Sequence, residues 1–168
     1  STVIRMVSAR ILGLLKAQDS VDQLIEQTRN PLKGLMDWSK DPSFKGNPTY
    51  EGANMRLNNL IALGQIGDAR AAGVMLDAMD DPARMRHVLA PLGQLAPSVN
   101  AENKAETLAA VQGKLMGIID VPSTTRLQRA IRMAASDALY QFNGGVDRIK
   151  RYLDDQKNPE FKRHVASA

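Results

Sequence analysis

The chain has 168 residues, which is the size of one ordinary domain. Apolar residues make up 43% of it and charged residues 24%, proportions that are typical of a soluble globular protein and exclude a disordered tail. No stretch approaches the roughly 18–20 apolar residues of a transmembrane helix, so we expect no membrane span. The absence of cysteine excludes disulfides, thiolate nucleophiles and zinc ribbons.

The net charge of +4 is concentrated at one end of the chain. Residues 1–125 carry 13 basic and 13 acidic side chains, whereas residues 126–168 carry nine basic and five acidic ones. A basic end can attract nucleic acid, anionic lipid or an acidic protein. So small an excess is equally typical of an ordinary solvated surface.

The spacing of apolar residues predicts an all-α protein. Helix-forming Ala, Leu, Met, Arg and Gln are plentiful, and aromatic residues make up only 4% of the chain. Apolar residues recur every three or four positions in four segments, which is the period of one helical face. The first of these stripes consists of Val3, Ile4, Val7, Ile11, Leu14 and Leu15. No run alternates with period two, so we predict no strand.

The sequence also repeats itself. Residues 5–31 align with residues 56–82 across 27 positions without a gap, and both stretches have an initial Arg, a Leu-Gly pair seven residues later and a closing Asx-Pro step. A third copy begins at Met85 with the same Leu-Gly spacing. A fourth copy begins at Arg132, where Leu139-Tyr140 replaces the Leu-Gly pair.

Each copy is expected to form a pair of helices. The first helix ends near a glycine that can take a left-handed conformation, and we expect Gly64 to lie there with a positive φ. Asp68 can then cap the second helix, and Asp81-Pro82 supplies a cap and a first residue for the helix that follows. A single helix pair cannot bury both of its faces, so the copies must stack.

The Arg-x6-Leu-Gly pattern, the Gly-Asp turn, the Leu-Ile or Met-Leu pair and the closing Asp-Pro resemble HEAT-like repeats of the short bacterial type, known from PBS-lyase-type proteins. The resemblance implies a right-handed α-solenoid of about four helix pairs, with the second helices lining a concave binding surface. We predict one domain over residues 1–168, which divides as follows: copies at about 3–31, 55–82, 85–120 and 125–159, and an insertion at 32–54. Because Ser1 stands where an initiator Met would be, we expect the sequence to be a piece of a longer chain. Its composition is compatible with either the cytoplasm or the periplasm as its compartment.

The predicted insertion, residues 32–54, carries three of the seven aromatic residues of the chain: Trp38, Phe44 and Tyr50. A loop of this length in a compact array is often functional, and aromatic side chains dominate the binding energy of many interfaces. We therefore predict that these aromatics bind a partner. The alternative is that they fill the seam between the first two copies. A second irregular stretch, Ala96–Glu106, is predicted to be an exposed loop.

Charged residues of the second helices form the other predicted surface. We expect Arg148 and Arg151 to face the concave side and to bind a partner, so that the groove runs from acidic to basic along its length. The acidic residues that mark the earlier copies are Asp22, Glu26, Asp77 and Asp80. On the first helices, Arg126, Arg129 and Arg132 are predicted to form a solvent-exposed convex stripe. The resemblance implies that Arg5, Arg56 and Arg132 each pair with an acidic group of a neighbouring copy.

The sequence contains no recognisable catalytic motif. His87 and His164 have no second His or Cys at a metal-ligand spacing, and the H-E-x-x-H, G-x-S-x-G, G-x-G-x-x-G and P-loop patterns are absent. The eight methionines are predicted to fill the core. We therefore predict no catalytic residue, no metal site and no cofactor.

The predicted function is a non-enzymatic scaffold or adaptor that binds a protein partner at the concave face or at the insertion. The alternative is a nucleic-acid-binding module, or a HEAT-like DNA glycosylase, acting through the basic C-terminal copy. Asp37-Trp38 supplies two residue types that such glycosylases use around an exposed base, but the neutral charge of residues 1–125 argues against a long DNA track. The resemblance also admits a bilin lyase.

Overall fold

The computed structural model describes residues 2–31, 33, 48–101 and 104–155, and within these ranges it contains α-helices, short 3-10 turns and no strand. The all-α prediction is therefore confirmed. The helices are α1 (Thr2–Leu14), α2 (Val21–Arg29), α3 (Pro48–Ile66), α4 (Ala72–Ala78), α5 (Pro82–Gly93), α6 (Ala96–Ala101), α7 (Ala105–Asp120), α8 (Arg126–Tyr140) and α9 (Gly145–Asp155). Because α3 begins at Pro48, residues 48–54 of the predicted insertion are helical.

Local capping residues explain where several helices begin. The Asp68 side chain accepts a hydrogen bond from the backbone N–H of Arg70 at 2.8 Å, directly after Gly67, whose φ is +78°. Asp81 accepts from the backbone N–H of Ala83 at 3.0 Å at the start of α5. Each cap satisfies a helical N–H that would otherwise lack a partner, as the sequence predicted.

Helices α1, α3, α5 and α8 contact one another in chain order. The helices between them pack against these four, since α2 contacts α3, α4 contacts α5, and α7 contacts α8. Buried core residues come from both sets of helices. The largest fully buried side chains include Met55, Met75 and Met79, whereas Met133 is 37% exposed, so the prediction that the methionines fill the core is confirmed for three of them and wrong for Met133.

The contacts between α1, α3, α5 and α8 share one arrangement. At each junction a glycine of one helix faces a small residue of the next helix and a glutamine three positions later. Gly13 faces Ala62 and Gln65, Gly64 faces Pro91 and Gln94, and Gly93 faces Ala138 and Gln141. At Gly13 and Gly64 the absence of a side chain allows the helix backbones to approach closely, because a Cβ there would stand 2.8 Å from the Ala62 Cα atom and 2.7 Å from the Pro91 Cα atom. At Gly93 the contact is an ordinary one, since a Cβ would stand 3.5 Å from the Ala138 Cα atom.

The expected conformation of Gly64 is wrong. Gly64 lies inside α3, and the residue with positive φ at this turn is Gly67. A Cβ on Gly64 would stand 2.7 Å from the Pro91 Cα atom. Gly64 is thus required by the neighbouring helix and not by its own backbone.

The predicted exposed loop at Ala96–Glu106 is also wrong over its first half, where the chain forms α6. Ala96 and Val99 are buried because their three-residue spacing places them on one helical face. Asn100 then connects α6 to the turn after α8. Its Nδ2 donates to the Gln141 carbonyl and its Oδ1 accepts from the Asn143 N–H, both at 3.0 Å.

The apolar stripe of α1 does not face the core. Its six side chains are between 50% and 72% exposed. Helix α1 instead places Thr2, Ala9 and Gly13 in the buried interior. The face of α1 that carries Ala9 and Gly13 fits closely against α3, with Leu12 partly buried beside it, and the six larger aliphatic side chains of the stripe turn outward.

Candidate partner-binding surface

The arginine at the first-helix repeat position donates to backbone carbonyls. Arg56 Nε donates to the Thr28 carbonyl at 3.2 Å, at the C-terminal end of α2. Arg132 Nε donates to the Ile119 carbonyl at 2.8 Å, at the end of α7. A cation at this end of a helix satisfies carbonyls that have no partner within the helix. Arg56 therefore joins α2 to α3, and Arg132 joins α7 to α8.

Arg132 is consequently not a solvent residue, and the predicted convex stripe is wrong at this position. Arg132 is only 6% exposed. Its guanidinium also donates to the Ser123 hydroxyl at 3.1 Å and to the Tyr152 hydroxyl at 3.3 Å. Arg126 and Arg129 are exposed, as predicted. The helical period distinguishes the sides of α8. It could not predict that residues of α7 and α9 cover the side on which Arg132 lies.

The acidic residues of the second helices are exposed, and several of them form ion pairs. Asp22 on α2 binds Arg70 at 2.9 Å, Glu26 binds Lys33 at 2.8 Å, and Asp80 after α4 binds Lys114 of α7. Exposed pairs of this kind contribute little to stability. They do reduce the negative potential of the part of the surface that the sequence predicted to be acidic.

Arg70 is the centre of the best-connected of these ion pairs. Its guanidinium binds Asp68 at 2.8 Å and Asp22 at 2.9 Å, and it donates to the Gln18 carbonyl at 3.1 Å. The hydrogen bond from Arg70 holds the pKa of Asp68 below its ordinary value. Arg70 therefore links the beginnings of α2 and α4, two neighbouring second helices.

The predicted partner-binding arginines of α9 are accessible. Arg148 and Arg151 are exposed with Lys150, while Ile149 between them is buried in the core. Arg151 Nε donates to the Asp147 carbonyl one turn earlier, at 3.3 Å. Their guanidinium groups can thus meet a partner, and the direction in which they face relative to the other second helices stays a prediction.

The predicted aromatic anchors cannot be placed beside these arginines. Trp38 and Phe44 lie outside the described residues. Tyr50 belongs to the first turn of α3, and its side chain is likewise outside the described part of the chain. Their predicted role as anchors therefore stays a prediction.

An open groove of about 620 Å³ runs across α3, α5 and α8 and was not predicted. The residues that line it include Lys16, Gly64, Gly93, Gln94, Asp137 and Gln141. The groove lies beside the contacts of Gly64 and Gly93 with the next helix, and Gln94 and Gln141 form part of its wall. The recurrence of Gln three positions after the small residue is present in the second, third and fourth copies and could have indicated this surface.

Within residues 2–31, 33, 48–101 and 104–155, no three His, Asp or Glu side chains gather as metal ligands. His87 is exposed and its Nε2 accepts from Arg86 Nε at 2.9 Å. In the same ranges no helix has both the length and the hydropathy needed to cross a membrane.

Comparison with known proteins assigns the chain to no family. A scan against protein-family models and a search among curated proteins give no significant match. The resemblance to HEAT-like repeats therefore stays a prediction from the sequence pattern.

Proposed function

We propose that the chain is a HEAT-like repeat array that acts as a non-enzymatic scaffold for a protein partner. The observation that carries this proposal is the recurring junction, in which Gly13, Gly64 and Gly93 each meet a small residue and a glutamine of the next helix. Three junctions with one arrangement support a stack of similar helix pairs. Such stacks present long open surfaces, which are used to bind other macromolecules.

The partner is proposed to carry acidic side chains where it meets α9. Arg148 and Arg151 are exposed and three residues apart, so they lie on neighbouring turns of one helix face. Arginine binds carboxylates through two parallel hydrogen bonds, which gives geometric specificity as well as attraction. The insertion 32–54, with Trp38, Phe44 and Tyr50, is the second proposed contact.

Charge reversal at matched positions tests this proposal. The Arg148→Glu/Arg151→Glu variant changes the proposed surface, and the Arg126→Glu/Arg129→Glu variant makes the same change at two exposed positions of α8. A photo-crosslinking residue at position 150 should capture a protein partner from cells, and the α9 variant should abolish that product. Equal loss in both variants, or loss in neither, would contradict the proposed surface.

A nucleic-acid-binding function is the second candidate. It is favoured by the exposed arginines of the last two helices, Arg126, Arg129, Arg148 and Arg151. Phosphate contacts release counterions, and each contact contributes about −0.9 to the slope of log K against log salt concentration. A slope of roughly −3 or steeper on duplex DNA, reduced by both charge-reversal variants, would support this candidate in place of the scaffold.

A further inference from the structure

One face of α1 is entirely aliphatic and is not covered by the described chain. The α1 stripe is defined by the side chains of Val3, Ile4, Val7, Ile11, Leu14 and Leu15, all at least half exposed. At 100° per residue these positions lie on the side of the helix opposite Thr2, Ala9 and Gly13, which are buried. The largest apolar patch on a protein surface is often a site of interaction.

We propose that the α1 stripe is a homodimer interface, in which α1 of one copy packs against α1 of a second copy about a two-fold axis. A two-fold interface uses the same surface on both molecules, so that surface has to complement itself. The spacing, the charge and the extent of the stripe each support this occupant.

The spacing of the stripe matches that of paired helices. Ile4, Val7, Ile11 and Leu14 follow one another at intervals of three, four and three residues, which is the repeat of a two-helix seam. Alternating Ile with a second aliphatic at these positions is a pattern that two-stranded helix pairs favour. Arg10 lies at the edge of the stripe, where its stem can pack along the seam while its guanidinium reaches water.

The stripe differs from the surfaces on which the helices of this chain stack. In the aligned copies Ile11 and Leu14 take the places of Ala62 and Gln65, the two residues that face Gly13. A branched Ile at this position keeps another helix from approaching as closely as α1 approaches α3. The stripe is therefore not a further copy of the internal junction.

Head-to-tail stacking of copies is disfavoured by the other end of the same layer. There α8 presents Arg126, Arg129 and Met133 on the side away from Ala138, which faces Gly93 of α5. Placing the α1 stripe on this surface would take the exposed guanidinium of Arg126 out of water against aliphatic side chains, which is costly for a charged group. A two-fold pair instead places aliphatic side chains against aliphatic side chains.

The extent of the stripe is compatible with a weak dimer. Six aliphatic side chains exposed by half to two-thirds present roughly 300–500 Å² of apolar surface on each copy. Pairing removes at most about twice that area, which lies in the range of weak or transient interfaces, below roughly 1,200 Å². We therefore expect a dimer that forms only at high protein concentration.

Sedimentation velocity over a range of protein concentrations tests the proposal. The unmodified chain should show a monomer–dimer equilibrium that stops at the dimer. The Val7→Lys/Ile11→Lys variant should weaken dimerisation by at least about 100-fold, because the two-fold axis brings four ammonium groups together. The matched control is Val121→Lys/Leu127→Lys, two residues that are 55% and 54% exposed and lie outside the stripe. This control should dimerise as the unmodified chain does.

Cysteine cross-linking provides a second measurement, because the chain has no cysteine of its own. Ile4→Cys and Leu14→Cys should each form a disulfide-linked dimer if the helices are parallel, and only their mixture should do so if the helices are antiparallel. Val121→Cys should form none. A chain that stays monomeric at all concentrations, a dimer unaffected by the lysine variant, growth beyond the dimer, or no cross-link at positions 4 and 14 would each overturn the proposal.

Discussion

Gly64 of α3 and Pro91 of α5 lie so close that a Cβ on Gly64 would stand 2.7 Å from the Pro91 Cα atom. Pro91 has no N–H to donate within α5, and its ring is buried in the junction. The two residues are therefore complementary, because Gly64 has no side chain at the point where the backbone of Pro91 comes nearest to α3. This junction connects the second copy of the repeat to the third.

The first prediction follows from this contact. Gly64→Ala should lower the free energy of unfolding by about 1–3 kcal/mol, because the added methyl group meets backbone atoms that cannot move away without separating two helices. Urea unfolding followed by circular dichroism measures the change.

The control for Gly64→Ala is Gly113→Ala in the middle of α7, where an added Cβ meets nothing within 4 Å. Alanine is favoured over glycine in a helix interior, so this variant should be about 0.5–1 kcal/mol more stable than the unmodified chain. The same substitution should thus have opposite signs at the two positions. Equal effects would mean that α3 and α5 do not approach as closely as described.

The second prediction concerns the buried arginine of α8. Arg132→Met should reduce the free energy of unfolding by about 1–3 kcal/mol, because the buried Ile119 carbonyl and the partly buried Tyr152 hydroxyl lose the guanidinium as a donor, although the Tyr152 hydroxyl still donates to that carbonyl at 3.2 Å. Arg126→Met, at an exposed position of the same helix, should change it by no more than about 0.5 kcal/mol. Thermal melts of the two variants provide the comparison, and similar melting temperatures would contradict the role assigned to Arg132.

The parts of the fold that could be predicted are those that depend on neighbouring residues. A cap such as Asp68 or Asp81 binds an N–H two positions later, so the local sequence contains all the information it needs. The same is true of the helical period, which predicted an all-α chain. The aligned copies likewise placed Gly13 and Gly64 at equivalent positions, which the structure shows to make equivalent contacts.

The orientation of α1 could not be predicted in this way. Its apolar period shows that Ile4 and Ile11 share a face, but not that the opposite face, with Ala9 and Gly13, fits more closely against α3. For the candidate site, Arg148 and Arg151 are exposed, and their predicted role on the concave side stays a prediction. The groove across α3, α5 and α8 was not predicted from the sequence. That groove depends on how closely the three helices approach, which is a property of their packing.

The third prediction is a dependence of stability on pH at Asp68. The hydrogen bond from Arg70 lowers the pKa of Asp68 in the folded chain below its ordinary value of 3.8. A carboxyl whose pKa is lowered by folding stabilises the fold above that ordinary value, and the contribution is lost as the pH falls through the folded pKa. Asp68→Asn should therefore reduce the loss of stability below about pH 4, since Asn keeps the cap and removes the charge.

Asp77→Asn is the control for this titration, because Asp77 is an exposed carboxylate of α4 outside the Arg70 network. Melting temperatures measured between about pH 2 and pH 7 should show a shallower acid limb for Asp68→Asn than for Asp77→Asn. Superimposable curves would mean that the Arg70 hydrogen bonds do not bias the titration of Asp68.

The last prediction distinguishes the two roles considered for Trp38. If Trp38 anchors a partner, as proposed, it makes few contacts in the free chain, and Trp38→Ala should leave the melting temperature nearly unchanged. Binding of the partner should then weaken by about 2 kcal/mol or more, the loss that defines a binding hot spot. If Trp38 instead fills the seam between the first two copies, the same substitution creates a cavity and costs roughly 3–5 kcal/mol of stability. The melting temperature of the free variant is sufficient to decide, because only the second role ties Trp38 to the stability of the fold. A large decrease would remove Trp38 from the proposed binding surface and leave the arginines of α9 as its remaining predicted contacts.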